Sequence, residues 1–530
     1  MATVREVALD LFRAHSMTTI FGNPGSTELP MLTELPDDFH YVLGLQEAAV
    51  VGMADGYAQA TGRPTLVNLH TAPGLGNAVG ALVNAQANGS PLVLTAGQQV
   101  RPMINLEAML TNTRAIEVPL PLVKFSAEPA RAQDVPALLA RATHLAMTPP
   151  RGPVFVSIPM DDWGAEASDE ATSLVLARSV HARTAPDPAA IEGIVDALTG
   201  ARAPALVCGA DVDASGGVDD AVALAERLNA VVYSPPAAGR LGFPWTHPLY
   251  RGSLPQAIAP LADALEPHDV VLVLGAPVFR YYPYVPGRFL ADGTRLLHVT
   301  ASGDEAARAP MGYAVLGDPA LALRALLERV PAGDRAAPAE RTPAAEVQPG
   351  RDGVLSADEV FATVGELWPD GGILVDESPA NLAAAQARVP LSRPGSFYFT
   401  ASGGLGFGLP AAIGVALADS SRPVLAAIGD GSMQYSIQAL SAAATLGVGV
   451  TVLVLDNREY AILKWFAAHE NTPKVPGLDL PPIDHVALGE AYGVPGETAS
   501  TVEELRAALG RGFAGDGPRL VHVPICATRS

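Results

Sequence analysis

The sequence predicts an α/β fold built as three doubly wound parallel-sheet domains. Three observations predict it. Short apolar runs recur along the whole chain, longer segments with helical spacing separate them, and stretches rich in Pro, Ala and charge divide the series into blocks. A strand covered on both faces reads as a continuous apolar run, and alternation with helices implies crossovers between parallel strands.

The first block, residues 1–180, has strand-like runs at 66–69, 92–96 and 154–158, with helical spacing over 47–60. The second, 183–335, repeats the pattern at 205–208, 270–274 and 296–299. The third, 352–530, has runs at 373–375, 424–428, 451–455 and 520–523. Residues 329–352 lack a periodic apolar face and read as a linker. A weaker joint lies at 182–190, where Asp187 and Pro188 are placed to open a helix. The first and third blocks are alike in size and layout.

Composition sets limits on function. A chain of 530 residues is too long for one core, and 49% hydrophobic against 17% charged residues argues against disorder. Its 34 basic and 55 acidic residues leave a net charge of −21, which disfavours nucleic-acid backbones and anionic membranes as partners. Two distant cysteines, Cys208 and Cys526, make neither a disulfide framework nor a four-cysteine zinc site, so a reducing cytosol is expected. No signal-peptide pattern opens the chain, and no run approaches the roughly 18 apolar residues of a membrane helix. These features predict a soluble, cytoplasmic protein.

The most informative segment is 424–440. An apolar strand ends in Gly429-Asp430-Gly431-Ser432, and a helical pattern follows. Glycines let the backbone turn sharply, and a helix start offers unpaired N–H groups to an anion. Asp430 puts a carboxylate where a phosphate would sit, which makes sense if a cation lies between them. Asn457 stands 27 residues later, just past a second strand. That interval suits one strand–helix–strand unit, so both side chains would emerge at the carboxyl edge of one parallel sheet. Carboxylate, amide oxygen, backbone carbonyl and phosphate oxygens suit Mg2+. The plainer reading is a tight turn and a helix-capping Asn.

GDG followed by Asn at this interval resembles the thiamine-diphosphate motif. The resemblance spans nearly the whole chain. FGNPGSTELP (21–30), LQEAAVVGMADGYAQATGRP (45–64) and NLHTAPGLGNAVGAL (68–82) resemble the pyrimidine-binding domain of the decarboxylase and acetolactate-synthase group. TAGQQVRPM, LVKFS, MDDW, GAPVFRYY, ASGGLGFGLPAAIG and VPGLDLPPIDH are similar to benzoylformate decarboxylases.

The resemblance implies roles for individual residues. Asp430, the Asn457 side chain and the Glu459 backbone oxygen would hold Mg2+ or Ca2+, with Gly429, Gly431 and Ser432 around the diphosphate. Glu47, in a segment of small apolar residues, would share a proton with the pyrimidine ring of the cofactor; burial suits a carboxyl to that task. Gly403 would accept the pyrimidine amino group on its carbonyl, and Leu405 would prop the cofactor in its bent shape. Without the resemblance, 403–410 reads as a glycine-rich turn before a helix.

On the substrate side, Ser26 reads either as a helix N-cap or, by resemblance, as a donor to the substrate carboxylate. His70, after the strand at 66–69, would exchange protons during addition and release. One position departs from the pattern. Benzoylformate decarboxylases have a second active-site His in the middle domain, where this chain has Tyr282. A phenol with a pKa of about 10 donates a hydrogen bond but shuttles protons poorly at neutral pH. Met109, Leu110, Phe399, Ile462, Leu463 and Phe466 would wall the pocket, or else belong to the ordinary core. Ala461 replaces the usual glycine, and Ile462 fills a position that is small in that group.

The expected reaction is non-oxidative decarboxylation of an aryl or bulky 2-oxo acid to aldehyde and CO2, the work of a carbon–carbon lyase. The alternatives are a carboligase that turns the same decarboxylated intermediate into 2-hydroxyketones, and an acetolactate-synthase-like enzyme. The resemblance also implies an active site shared between subunits, hence at least a dimer, with a homotetramer as the family's form.

Overall fold

The apolar runs fold as strands paired in parallel with their neighbours. The computed structural model describes residues 2–168, 173, 175–332, 335–351 and 353–527. Gly333, Asp334 and Asp352 of the expected linker, and the expected outer bounds Met1 and Ser530, lie outside the described residues. Among the described residues no helix is long and apolar enough to cross a membrane.

Three six-stranded sheets organise the described chain. The first contains β1 (Thr19–Gly22), β2 (His40–Leu43), β3 (Thr65–Leu69), β4 (Leu92–Gln98), β5 (Ser126–Ala127) and β6 (Val154–Pro159), in the order β2-β1-β3-β4-β6-β5. The second contains β7 (Pro204–Cys208), β8 (Val231–Ser234), β9 (Tyr250–Ser253), β10 (Val270–Leu274), β11 (Arg295–Thr300) and β12 (Tyr313–Leu316), in the order β12-β11-β10-β7-β8-β9. The third contains β13 (Ile373–Glu377), β14 (Phe397–Phe399), β15 (Val424–Gly429), β16 (Val450–Asp456), β17 (Gly496–Thr498) and β18 (Arg519–Pro524), in the order β14-β13-β15-β16-β18-β17. The first and third sheets therefore share one strand order position by position, and the middle sheet has another. Helices cover the sheets as crossovers require.

Two packing contacts join the first and third sheets to one another and the middle sheet to the third. The helix Glu47–Thr61 lies against the helix Gly408–Ala418, and both are almost wholly buried. Their backbones touch: a Cβ on Gly56 would lie 2.1 Å from the Ala411 carbonyl oxygen, and one on Gly414 would lie 1.9 Å from that of Met53. Small residues are thus required here, and Phe21, Val67, Val375 and Ile428 form one core around the contact. Trp245 of the middle block packs its ring 4.9 Å from that of Phe397, and its backbone N–H donates to the Leu391 carbonyl at 2.8 Å. The helix expected at Asp187 forms as Pro188–Gly200, with the Asp187 carboxylate accepting the Ala189 N–H at 2.8 Å.

Candidate active site

β15 and β16 are hydrogen-bonded neighbours, with Gly429 beside Leu455. Asp430 and Asn457 therefore leave the same carboxyl edge on adjacent strands, where ligands bind in open α/β sheets. The chain turns into a short helical segment, Asp430–Met433, at once after Gly429. Gly431 is there because nothing larger fits: a Cβ would lie 2.6 Å from the Tyr460 ring. The Arg458 N–H donates to Asp430 Oδ2 at 3.0 Å and to Asp456 Oδ1 at 3.1 Å, while Asn457 Oδ1 accepts the Glu459 N–H at 3.1 Å.

Two carboxylates share this edge. Burial, with Asp456 close by, pushes the Asp430 carboxyl well above its ordinary range. Burial also acts against Asp456, but His522 Nε2 lies 2.9 Å from Asp456 Oδ2 and helps hold that group below the usual range. Among the described residues no cationic side chain pairs with Asp430. The Glu459 side chain is taken by Lys464, which leaves its backbone oxygen as the group on offer.

The glycine-rich segment lies across the same edge. Gly403 has φ +78° and Gly406 φ +99°, both in the left-handed region that favours glycine. The Glu377 carboxylate, at the end of β13, accepts the N–H groups of Gly406 at 2.5 Å and of Gly408. Burial pushes Glu377 up to about 8. Sequence reasoning did not single out Glu377; its only signal was an acidic pair, Asp376-Glu377, closing an apolar strand.

A cleft of about 1400 Å³ opens over this edge. It brings Gly403, Leu405 and Gly429 to Ser432 together with Asn457 and Glu459. Tyr282, Phe399, Ile462, Leu463 and Phe466 form another part of its wall. The Tyr282 ring lies 4.5 Å from that of Phe466 and is 59% exposed.

Ser26, Glu47, His70, Met109 and Leu110 are not among the walls of that cleft within one chain. Glu47 is buried at the start of its helix, and its two oxygens accept the Asn23 and Asn77 amides, each at 3.0 Å. His70 sits at the N-cap of the helix Thr71–Ala87. Its Nδ1 lies 2.8 Å from Glu28 Oε2 and 3.3 Å from the Thr27 hydroxyl. Glu28, which no local sequence signal marks, also accepts the N–H groups of Gly25 at 2.9 Å and Gly97 at 2.8 Å. The capping reading of Ser26 is corrected. Glu28 holds the N-cap position of the helix Leu29–Leu32, because Pro30 is placed in its first turn, and Ser26 is exposed on the turn before it. Met109 is 85% exposed, and Leu110 has φ +72° on an irregular segment.

Each of the three sheets has a counterpart among known families. Residues 2–116 match the N-terminal thiamine-pyrophosphate-binding domain of thiamine pyrophosphate enzymes, 191–326 their central domain, and 380–523 their C-terminal thiamine-pyrophosphate-binding domain. A benzoylformate decarboxylase of Pseudomonas aeruginosa is 48% identical over 524 residues, covering 99% of each chain. The chain belongs to the thiamine-diphosphate-dependent decarboxylase family. Solved family members agree along the full length. A thiamine-diphosphate-dependent 4-hydroxybenzoylformate decarboxylase of Rhodococcus jostii RHA1 superposes with a TM-score of 0.96 at 47% identity, covering 100% of each chain. Benzoylformate decarboxylase from Polynucleobacter necessarius gives 0.97 at 41%, again over 100% of each chain. The chain is thus a thiamine-diphosphate-dependent 2-oxo-acid decarboxylase, a carbon–carbon lyase.

Proposed function

We propose that this enzyme decarboxylates an aryl 2-oxo acid of the benzoylformate class to the aldehyde and CO2. The observation that carries the reading is the cleft: aromatic and aliphatic walls at Phe399, Ile462, Leu463 and Phe466 adjoin the turn from Gly429 to Ser432. Full-length identity to aryl 2-oxo-acid decarboxylases supports it. Apolar walls favour a ring over a methyl group, although one methylene alters selectivity by only about 1–3 kcal/mol.

The donor set suits Mg2+ or Ca2+. Asp430 is a buried carboxylate without an ion-pair partner among the described residues, and the Asn457 amide oxygen and Glu459 carbonyl complete an all-oxygen group. These three would hold the ion, and N–H groups of 429–432 would receive the diphosphate. Bound thiamine diphosphate supplies the carbon nucleophile and the electron sink. Gly403 and Leu405 orient it, and Glu47, held by Asn23 and Asn77, shares a proton with its pyrimidine. Ser26 hydrogen-bonds the substrate carboxylate. His70 exchanges protons with the substrate oxygen, oriented by Glu28. Tyr282 donates a hydrogen bond at the cleft mouth.

In one chain the groups Ser26, Glu47 and His70 are absent from the cleft walls. This supports an active site made by the first domain of one subunit and the third of another, in a dimer or a homotetramer. The domain bounds 1–180, 183–335 and 352–530 are proposed on the same footing, with the protein placed in the cytoplasm.

Tyr282 favours a second outcome. Slow delivery of a proton to the nascent aldehyde carbon leaves time for an acceptor aldehyde to be joined instead, which gives a 2-hydroxyketone. The flavin-bearing, acetolactate-synthase-like reading has less support, since an acetolactate synthase large subunit of Parasynechococcus marenigrum is 28% identical to the chain against 48% for the benzoylformate decarboxylase.

The deciding experiment is a screen of 2-oxo acids with and without acceptor aldehydes, following CO2 and products separately. Benzoylformate or a ring-substituted analogue should outrun pyruvate. Preference for pyruvate together with a yellow protein would overturn the assignment, and full activity in Glu47→Ala would refute the proposed role of Glu47.

A further inference from the structure

The helix Thr71–Ala87 begins beside His70 and carries Asn77, whose amide holds Glu47. Its other end leaves the first domain's own business. Asn84 is buried, and its Oδ1 accepts the Thr400 hydroxyl at 2.9 Å and the Ser402 hydroxyl. Its Nδ2 donates to the Gly404 carbonyl at 3.1 Å. One amide thus grips the chain on both sides of Gly403. Asn88, one residue past the helix, accepts the Ala401 N–H on Oδ1 at 3.3 Å and is itself anchored by Nδ2 on Asp55 at 2.9 Å. There is little room for variation: a Cβ on Gly404 would lie 3.0 Å from Asn84 Oδ1.

We propose that Asn84 is a positioning residue that aims the Gly403 carbonyl at the pyrimidine of the cofactor. Through it, the Thr71–Ala87 helix ties two active sites together. A helix of 17 residues is a rod about 25 Å long. Its N-terminal half carries His70 and the Asn77–Glu47 contact for one site, and its last turn, through Asn84, clamps the cofactor loop of the next. The linkage rests on the shared-site reading above, in which Glu47 serves the third domain of another chain. The clamp on Gly403 rests on contacts within one chain.

Two measurements test it. The first titrates the metal-loaded apoenzyme with thiamine diphosphate and, separately, with inorganic diphosphate. Asn84→Ala should weaken thiamine diphosphate by about tenfold or more, the loss typical of removing a buried hydrogen-bonding group. Inorganic diphosphate, which occupies the 429–432 turn alone, should shift less than about twofold, inside the scatter of surface effects. Should Asn84→Ala fail to fold, the double variant Thr400→Val, Ser402→Ala removes the same bonds from the loop side. Equal weakening of both probes, or of neither, overturns the positioning role.

The second measurement mixes chains. Assayed at a thiamine diphosphate concentration that fills the wild type but leaves Asn84→Ala largely empty, co-produced Glu47→Gln and Asn84→Ala chains should recover activity above either variant alone. Each mixed pair then keeps one site with an intact Glu47 and an intact loop, so random pairing restores roughly a quarter of wild-type activity in a two-fold assembly. Glu47→Gln with Asp430→Asn is the control. Recovery in the control but not with Asn84→Ala overturns the linkage and leaves the shared site standing. No recovery in either mixture overturns the shared site and the linkage together.

Discussion

His70 Nδ1 lies 2.8 Å from Oε2 of Glu28, whose side chain is only 1% exposed. The Glu28 carboxylate is itself fixed by two backbone N–H groups, from Gly25 and Gly97, and by the Thr27 hydroxyl at 2.7 Å. A buried acceptor held this firmly dictates which ring nitrogen carries the proton, and it leaves Nε2 as the free working atom. His70→Ala should cost about 10²–10⁴-fold in kcat, the usual worth of a general acid–base. Glu28→Ala should cost about tenfold to hundredfold in kcat, with KM changed far less, because it disorders the ring without removing it. Steady-state kinetics on the two variants check this. Wild-type kcat in Glu28→Ala would show that His70 needs no orienting partner.

The Asp430 carboxylate predicts how the protein responds to chelation. A buried carboxylate beside Asp456, without an ion-pair partner among the described residues, is destabilised until a cation or a proton arrives. Dialysis against EDTA should remove activity and release thiamine diphosphate together. Adding the cofactor with Mg2+ or Ca2+ should restore both. Asp430→Asn should stay empty at metal concentrations that refill the wild type. Cofactor retained on the protein after complete metal removal would contradict the assignment of Asp430, Asn457 and Glu459.

Tyr282 predicts product partition. Its ring leans on Phe466 at 4.5 Å at the mouth of the cleft, where a phenol donates a hydrogen bond but rarely releases a proton at neutral pH. Tyr282→His places an imidazole able to exchange protons near pH 7. The variant should decarboxylate faster and give a smaller share of 2-hydroxyketone when an acceptor aldehyde is present. Product analysis at matched turnover checks both numbers. An unchanged aldehyde rate and an unchanged ratio would remove Tyr282 from the proton path.

What was legible in the sequence follows the range of the interaction. The strand-then-turn positions of Asp430 and Asn457 are local patterns one crossover apart, so periodicity and two glycines sufficed to place them at a sheet edge. The close helix pair was half legible: 47–60 read as a helix, but only the structure reveals that Gly56 meets Ala411 across more than half the chain. Glu28 carries no local signal for the same reason: its partner His70 is 42 residues away. Asn84 reaches Thr400, Ser402 and Gly404 across 316 to 320 residues, a separation at which no local pattern carries information. Ser26 as a cap failed because Pro30 starts the helix later than the polar residues suggest. The shared strand order of the first and third sheets was likewise beyond a reading of layout alone.

Glu377 predicts a stability profile that runs opposite to that of a salt-bridged carboxylate. Its two backbone donors, Gly406 and Gly408, favour the ionised form, but burial outweighs them and raises the group from an ordinary 4.5 to about 8, with Asp376 adding repulsion. A group whose pKa rises on folding binds more protons folded than unfolded, so stability falls with pH between the two values. Its contribution is complete below about pH 4.5 and is lost as pH climbs through 8. Asp376, raised to about 7 by burial, pulls the same way and remains in a Glu377 variant. The metal-free apoenzyme should therefore lose melting temperature from pH 5.5 to 8.5, and Glu377→Gln should lose less over the same span. At pH 5.5 the variant should be the less stable protein, because an amide can accept through only one of its two terminal atoms while two N–H donors face it. The gap should narrow steadily toward pH 8.5, where the wild type carries a buried charge and the variant does not. Melting curves at four pH values suffice to see this. A gap independent of pH would mean that Glu377 does not titrate between pH 5.5 and 8.5 in the folded protein and would overturn this profile.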